Sequence, residues 1–78
     1  MKELVLAVYE TRSAARAAVE DLQVARVPSA IVHPNVTWEL VDPDQRSVTV
    51  SVDGQHATAV TAILALQAPV RLEEAALP

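Results

Sequence analysis

The sequence predicts an α+β domain with the element order βαββαβ, and three observations carry that prediction. Apolar side chains in the opening segment, Glu3 to Tyr9, occupy both parities, as in a strand covered on both faces and therefore central. From Arg12 to about Arg26 the apolar spacing lengthens to a helical one, with Ala15, Ala18, Val19, Leu22 and Ala25 on one stripe. Arg46 to Val52 then alternates strictly, setting Val48, Val50 and Val52 against Ser47, Thr49 and Ser51.

The elements follow in order. Thr11 or Ser13 is placed to cap the first helix, and Pro28 forbids its continuation. Arg16 and Glu20 are spaced for an i,i+4 pair in the less favourable orientation. Ala30 to His33 opens a second strand that Pro34 and Asn35 disturb and Thr37 to Val41 resumes. One long, kinked strand at a sheet edge is the expectation, because an edge tolerates proline. Asp42-Pro43-Asp44-Gln45 has the chemistry of a type I turn. After the third strand, Asp53-Gly54 leads into a second helix from about Gln55 to Gln67, with Asp53 as its candidate cap. Pro69 ends it, and Val70 to about Glu74 makes the last strand, with Val70 and Leu72 inward. With right-handed crossovers this order gives a four-stranded antiparallel sheet, order 4-1-3-2, with both helices on one face. That is the ferredoxin-like arrangement, here a single domain over residues 1–78.

The bulk composition narrows the function. A chain of 78 residues with 51% hydrophobic composition but one Trp, one Tyr and no Phe must build its core from aliphatic side chains, and domains of this size often gain stability by associating. No cysteine is present, which removes disulfides, thiolate catalysis and thiolate metal sites. Glu3 stands where a secretory leader wants base, Met1 reads as a natural start, and Ala57 to Leu66 is too short to span a bilayer. A soluble, cytoplasmic protein without membrane contact is expected. With a net charge of −4 and six scattered basic residues, nucleic acid is not an expected partner.

The catalytic inventory is poor. His33 and His56 lack metal-ligand spacing, and Asp42, Asp44 and Asp53 read as turn and cap residues rather than a cation loop. Glu73 and Glu74 are adjacent on a strand, so they point to opposite faces and cannot share a proton. No nucleophile elbow or glycine-rich phosphate loop is present. No catalytic, metal or cofactor-binding residue is assigned, and the inventory argues against an enzyme. His33 or Tyr9 acting alone is the one catalytic alternative.

Two segments resemble the small general stress protein 17M family (the YflT-type domain). Val5-Leu-Ala-Val-Tyr-Glu-Thr-Arg-Ser-Ala-Ala-Arg-Ala-Ala-Val-Glu-Asp-Leu22 is similar to its strand, turn and amphipathic helix. Val48-Thr-Val-Ser-Val-Asp53, with Ala59, Ile63-Leu64 and Ala68-Pro-Val70, is similar to its Val-rich strand and final helix. The family's glycine-rich insert is missing: His33 to Gln45 fills the gap, and the whole chain has one glycine. The resemblance implies a stress-related accessory role on a ferredoxin-like fold and transfers no site residues.

Contact surfaces are what remains. With Leu4, Leu6 and Val8 assigned to the helix side, the open sheet face is expected to show Val5, Ala7, Tyr9, Thr49, Ser51, Arg71 and Glu73. Trp38 or Val41 is a candidate to join them. The second helix has no acid, Lys or Arg, so Ala59, Ala62 and Leu66 are expected to form a second contact face, with Trp38 as its anchor. The functional expectation is a small acidic regulatory or accessory domain acting as a homodimer or on another protein. The alternatives are a monomeric adaptor or inhibitor, and an ACT-like module sensing an unidentified small molecule.

Overall fold

The computed structural model describes residues 1–34 and 44–76. Strand β1 (Lys2–Val8) leads into helix α1 (Arg12–Ala25), followed by β2 (Ile31–Pro34) and β3 (Ser47–Asp53). A single 3₁₀ turn (Gly54–His56) then opens helix α2 (Ala57–Ala65), and β4 (Arg71–Ala76) closes the described chain. The strands form one antiparallel sheet in the order β2-β3-β1-β4; numbered from the β4 edge, the same neighbours read 4-1-3-2. The doubly apolar β1 and the valine-rich β3 are central, each paired with a neighbour along both edges. The second-strand residues beyond Pro34, with Trp38, Val41 and the turn residues Asp42 and Pro43, lie outside the described residues.

Both helices pack on one face. Ala15, Ala18 and Leu22 of α1 and Ala57, Val60 and Leu64 of α2 share a single core with Val5, Ala7, Tyr9, Val48, Val50 and Val52. This corrects the expected sidedness of β1. Val5, Ala7 and Tyr9 are buried beneath the helices and do not lie on the open face. The register explains it. Val5 stands opposite Val50 and Ala7 opposite Val48, and residues directly opposed in an antiparallel pair share a face. Leu4, Leu6 and Val8 oppose Ser51, Thr49 and Ser47, so they take the other side. A strand that is apolar at both parities carries no signal of which parity faces in. Its hydrogen-bonded neighbour decides.

Helix α1 begins where expected. The Thr11 hydroxyl accepts from the Ala14 backbone N–H at 3.1 Å, satisfying one of the donors a helix start leaves open. It ends on Arg26, a non-glycine residue in the left-handed region (φ 51°), whose N–H reaches the Leu22 carbonyl. Ala25, expected on the buried stripe, is exposed at the last residue of α1. Arg16 and Glu20 form no ion pair: among the described residues the pairs are Lys2–Asp53, Arg46–Asp44 and Arg71–Glu73.

Asp53 makes no side-chain cap to the turn that follows it. Its backbone N–H donates to the Ser29 hydroxyl at 2.9 Å, and its carboxylate pairs with Lys2 at 3.4 Å. At Gly54 the chain comes so close to the N-terminal strand that a Cβ would sit 3.3 Å from the Met1 carbonyl oxygen, and the Gly54 N–H donates to that same oxygen at 2.7 Å. The glycine serves close approach; none of the positive-φ positions, Arg26, Ser29, Gln45 and Ala68, is a glycine.

Candidate functional site

The outer surface of α2 is the most distinctive feature of the described molecule. Its sequence, Ala-Thr-Ala-Val-Thr-Ala-Ile-Leu-Ala, has no charged residue. Ala57, Val60 and Leu64 turn into the core, which is the i, i+3, i+7 stripe of one helix face. The opposite face carries Thr58, Ala59, Ala62 and Ala65, all exposed. Leu66, one residue past the helix, is 72% exposed, and Val70 is 66% exposed. Ala59, Ala62 and Leu66, the residues expected on a contact face, are therefore all at the surface. Val70 was expected inward. It is exposed because β4 begins one residue later: after Ala68 (φ 50°) and Pro69 the chain bends at Val70, whose N–H donates to the Val8 carbonyl at 2.8 Å.

Side-chain hydrogen bonds tie this region to its neighbours. Tyr9, at the end of β1, is 1% exposed, and its hydroxyl donates to the Leu64 carbonyl at 2.8 Å. Burial, with the nearby Asp21 carboxylate, pushes the phenol up to about 12, so it stays protonated and keeps donating. Gln67 donates through Nε2 to Asp21 Oδ2 at 3.0 Å, tying the end of α2 to α1. On the other flank the Thr61 hydroxyl lies 2.9 Å from the Ala57 carbonyl oxygen and 2.5 Å from Glu74 Oε1. A hydroxyl has one proton, so one of these two acceptors is served at a time.

The sheet face away from the helices is less suited to contact than expected. Thr49 and Ser51 do lie on it, as does Arg71 through its opposition to Val8. Yet Leu6 is fully buried, Thr49 is buried, and Arg71 is held in an ion pair with Glu73. Glu73 and Glu74 do point to opposite faces, the first to Arg71 and the second to Thr61 of α2.

Among the described residues the two histidines lie in different elements. His33 is exposed on edge strand β2 opposite Thr49, while His56 lies in the 3₁₀ turn with Gln55 as its neighbour at 3.4 Å. Among the described residues no group of three or more His, Cys, Asp or Glu side chains converges to hold a metal. At Asp53, partial desolvation raises the carboxyl. The hydrogen bond and charge of Lys2, the Ser29 hydroxyl and the Met1 amino group outweigh it and hold the group below its ordinary range. Among the described residues no helix is long and apolar enough to cross a membrane.

No protein-family model, curated protein or solved structure matches this chain. What the fold and surface define is a class: a small α+β domain with a four-stranded antiparallel sheet and two helices on one face.

Proposed function

We propose that the chain is a ferredoxin-like accessory domain that works by protein contact, and that the outer face of α2 joins two copies as a homodimer. One observation carries the reading: Ala59, Ala62 and Leu66 make an exposed apolar surface without charge on a molecule of net charge −4. Two copies of an acidic protein repel wherever acid meets acid. A two-fold interface sets a patch against itself, so an uncharged patch is the place where that repulsion is least. Leu66 supplies a side chain worth burying at about 25 cal/mol per Å², and Ala59 and Ala62 on α2 let two helices approach closely. A role in stress response, which the likeness of the two flanking segments to the 17M family suggests, belongs to the same proposal.

The test is solution mass by size exclusion with light scattering, diluted from about 100 μM to about 1 μM, which spans weak to moderate association. The wild type is expected to run as a dimer, and Ala62→Glu or Leu66→Glu as a folded monomer. A wild-type monomer at the highest concentration, or a dimer untouched by both substitutions, overturns the reading.

A further inference from the structure

We propose that a cleft between the N-terminal half of α1 and the start of β3 binds a small organic oxyanion, a carboxylate or phosphate group carried on a compact apolar body. The cleft has a volume of about 270 Å³ and is lined by Arg12, Ala15, Arg16 and Val19 of α1 with Gln45, Ser47 and Val48. Its size falls just under the roughly 300–1,000 Å³ of sites for drug-sized ligands, so its occupant is small.

The arginines are the reason for choosing an anion. Arg12 is the first residue of α1, where the helix dipole is positive and an acid is the favourable choice; the first turn contains none. Arg16 stands one turn on, where two like charges repel. Neither guanidinium forms an ion pair with a described residue, and Glu20, correctly spaced to relieve Arg16, does not do so. Two of the six basic residues of an acidic chain are thus placed where each local rule disfavours them, side by side, at the mouth of a cleft. Departures from local consistency of this kind are expected at functional sites. The geometry matches the chemistry: planar guanidinium forks suit carboxylate and phosphate oxygens, and the partly exposed Val19 side chain, lining the same cleft, offers an apolar contact for the body of the ligand. This inference is independent of the dimer reading, since the cleft lies on α1 and the proposed interface on α2.

Backbone amide NMR of the labelled full chain, titrated separately with inorganic phosphate, butyl phosphate and pentanoate, tests it. Saturable shifts centred on Arg12, Ala15, Arg16, Val19 and Val48 are expected for butyl phosphate or pentanoate, and the tighter of the two identifies the head group. Inorganic phosphate, which lacks an apolar body, is expected to bind more weakly. Arg12→Gln with Arg16→Gln, both exposed positions, should weaken binding at least about tenfold while leaving the distant amide spectrum unchanged. Absence of saturable shifts at these residues, equal response to all three anions, or an undiminished response in the double variant overturns the proposal. Should the double variant misfold, Arg12→Lys is the substitute: retained charge without the planar fork is expected to weaken binding, and unchanged affinity counts against the site.

Discussion

Tyr9 and Leu64, 55 residues apart in sequence, are joined by a hydrogen bond from the phenol to the Leu64 carbonyl oxygen at 2.8 Å. The bond links the end of the central strand β1 to the last turn of α2, in the interior of the core. It follows that the orientation of the proposed contact face depends on a residue that was expected on the other side of the sheet.

Tyr9→Phe keeps the ring and removes the donor, leaving a carbonyl without its partner. A loss of about 1–2 kcal/mol in unfolding free energy is expected, read from urea denaturation. The phenol also makes stability depend on alkaline pH. Its pKa is raised from 10.0 to about 12 in the folded chain, so the folded state holds the proton more tightly than the unfolded one. Its contribution is therefore complete below pH 10 and declines as pH rises toward 12. Tyr9 is the single tyrosine of the chain, so phenolate absorbance reports its titration directly. A midpoint near the ordinary value would contradict the buried bond.

Leu64 and Leu66 are two residues apart and face opposite worlds. Leu64→Ala empties a fully buried position and should cost about 2–5 kcal/mol. Leu66→Ala removes a side chain that is 72% exposed, and its effect on the monomer should stay within about 0.5 kcal/mol. Thermal melts at low concentration, where any dimer has dissociated, separate the two. Equal losses would mean that the two faces of α2 have been exchanged.

Ala68 holds a left-handed conformation (φ 50°) while its N–H donates to the Ala65 carbonyl at 3.0 Å. The Cβ clash of that region costs an L-residue about 1–2 kcal/mol, of which glycine's greater freedom in the unfolded chain takes back a part. Ala68→Gly is therefore expected to stabilise by about 0.5–1 kcal/mol, measured as a higher denaturation midpoint at unchanged slope.

Asp53 gives the opposite pH limb. Its carboxyl is held below the ordinary value, so its contribution is present above the unfolded pKa and lost as pH falls through the folded one. Asp53→Asn should flatten the acid side of the stability profile and leave the alkaline side, which belongs to Tyr9, unmoved. An unchanged acid limb would show that the Lys2 contact carries no weight.

Most of the architecture is written in local patterns. Thr11, one of the two cap candidates, the α1 positions Ala15, Ala18 and Leu22, and the Val48-Val50-Val52 face of β3 are each visible in the residue spacing. The absence of charge on α2, and with it the exposure of Ala59, Ala62 and Leu66, is equally legible, because a nine-residue helix has only one face to bury. Val5, Ala7 and Tyr9 were not legible. A strand apolar on both sides is consistent with either orientation, and the choice was made by its register with β3, where Val5 meets Val50 and Ala7 meets Val48. The same holds for the cleft beside Arg12 and Arg16. Along the chain those arginines look like the solvated side of an amphipathic helix, and only the packing of α1 over the start of β3 brings them to a cavity. Periodicity determines which side chains share a face. Which face that becomes, and what stands opposite it, is a property of pairing between distant segments, and was decided only when the sheet closed.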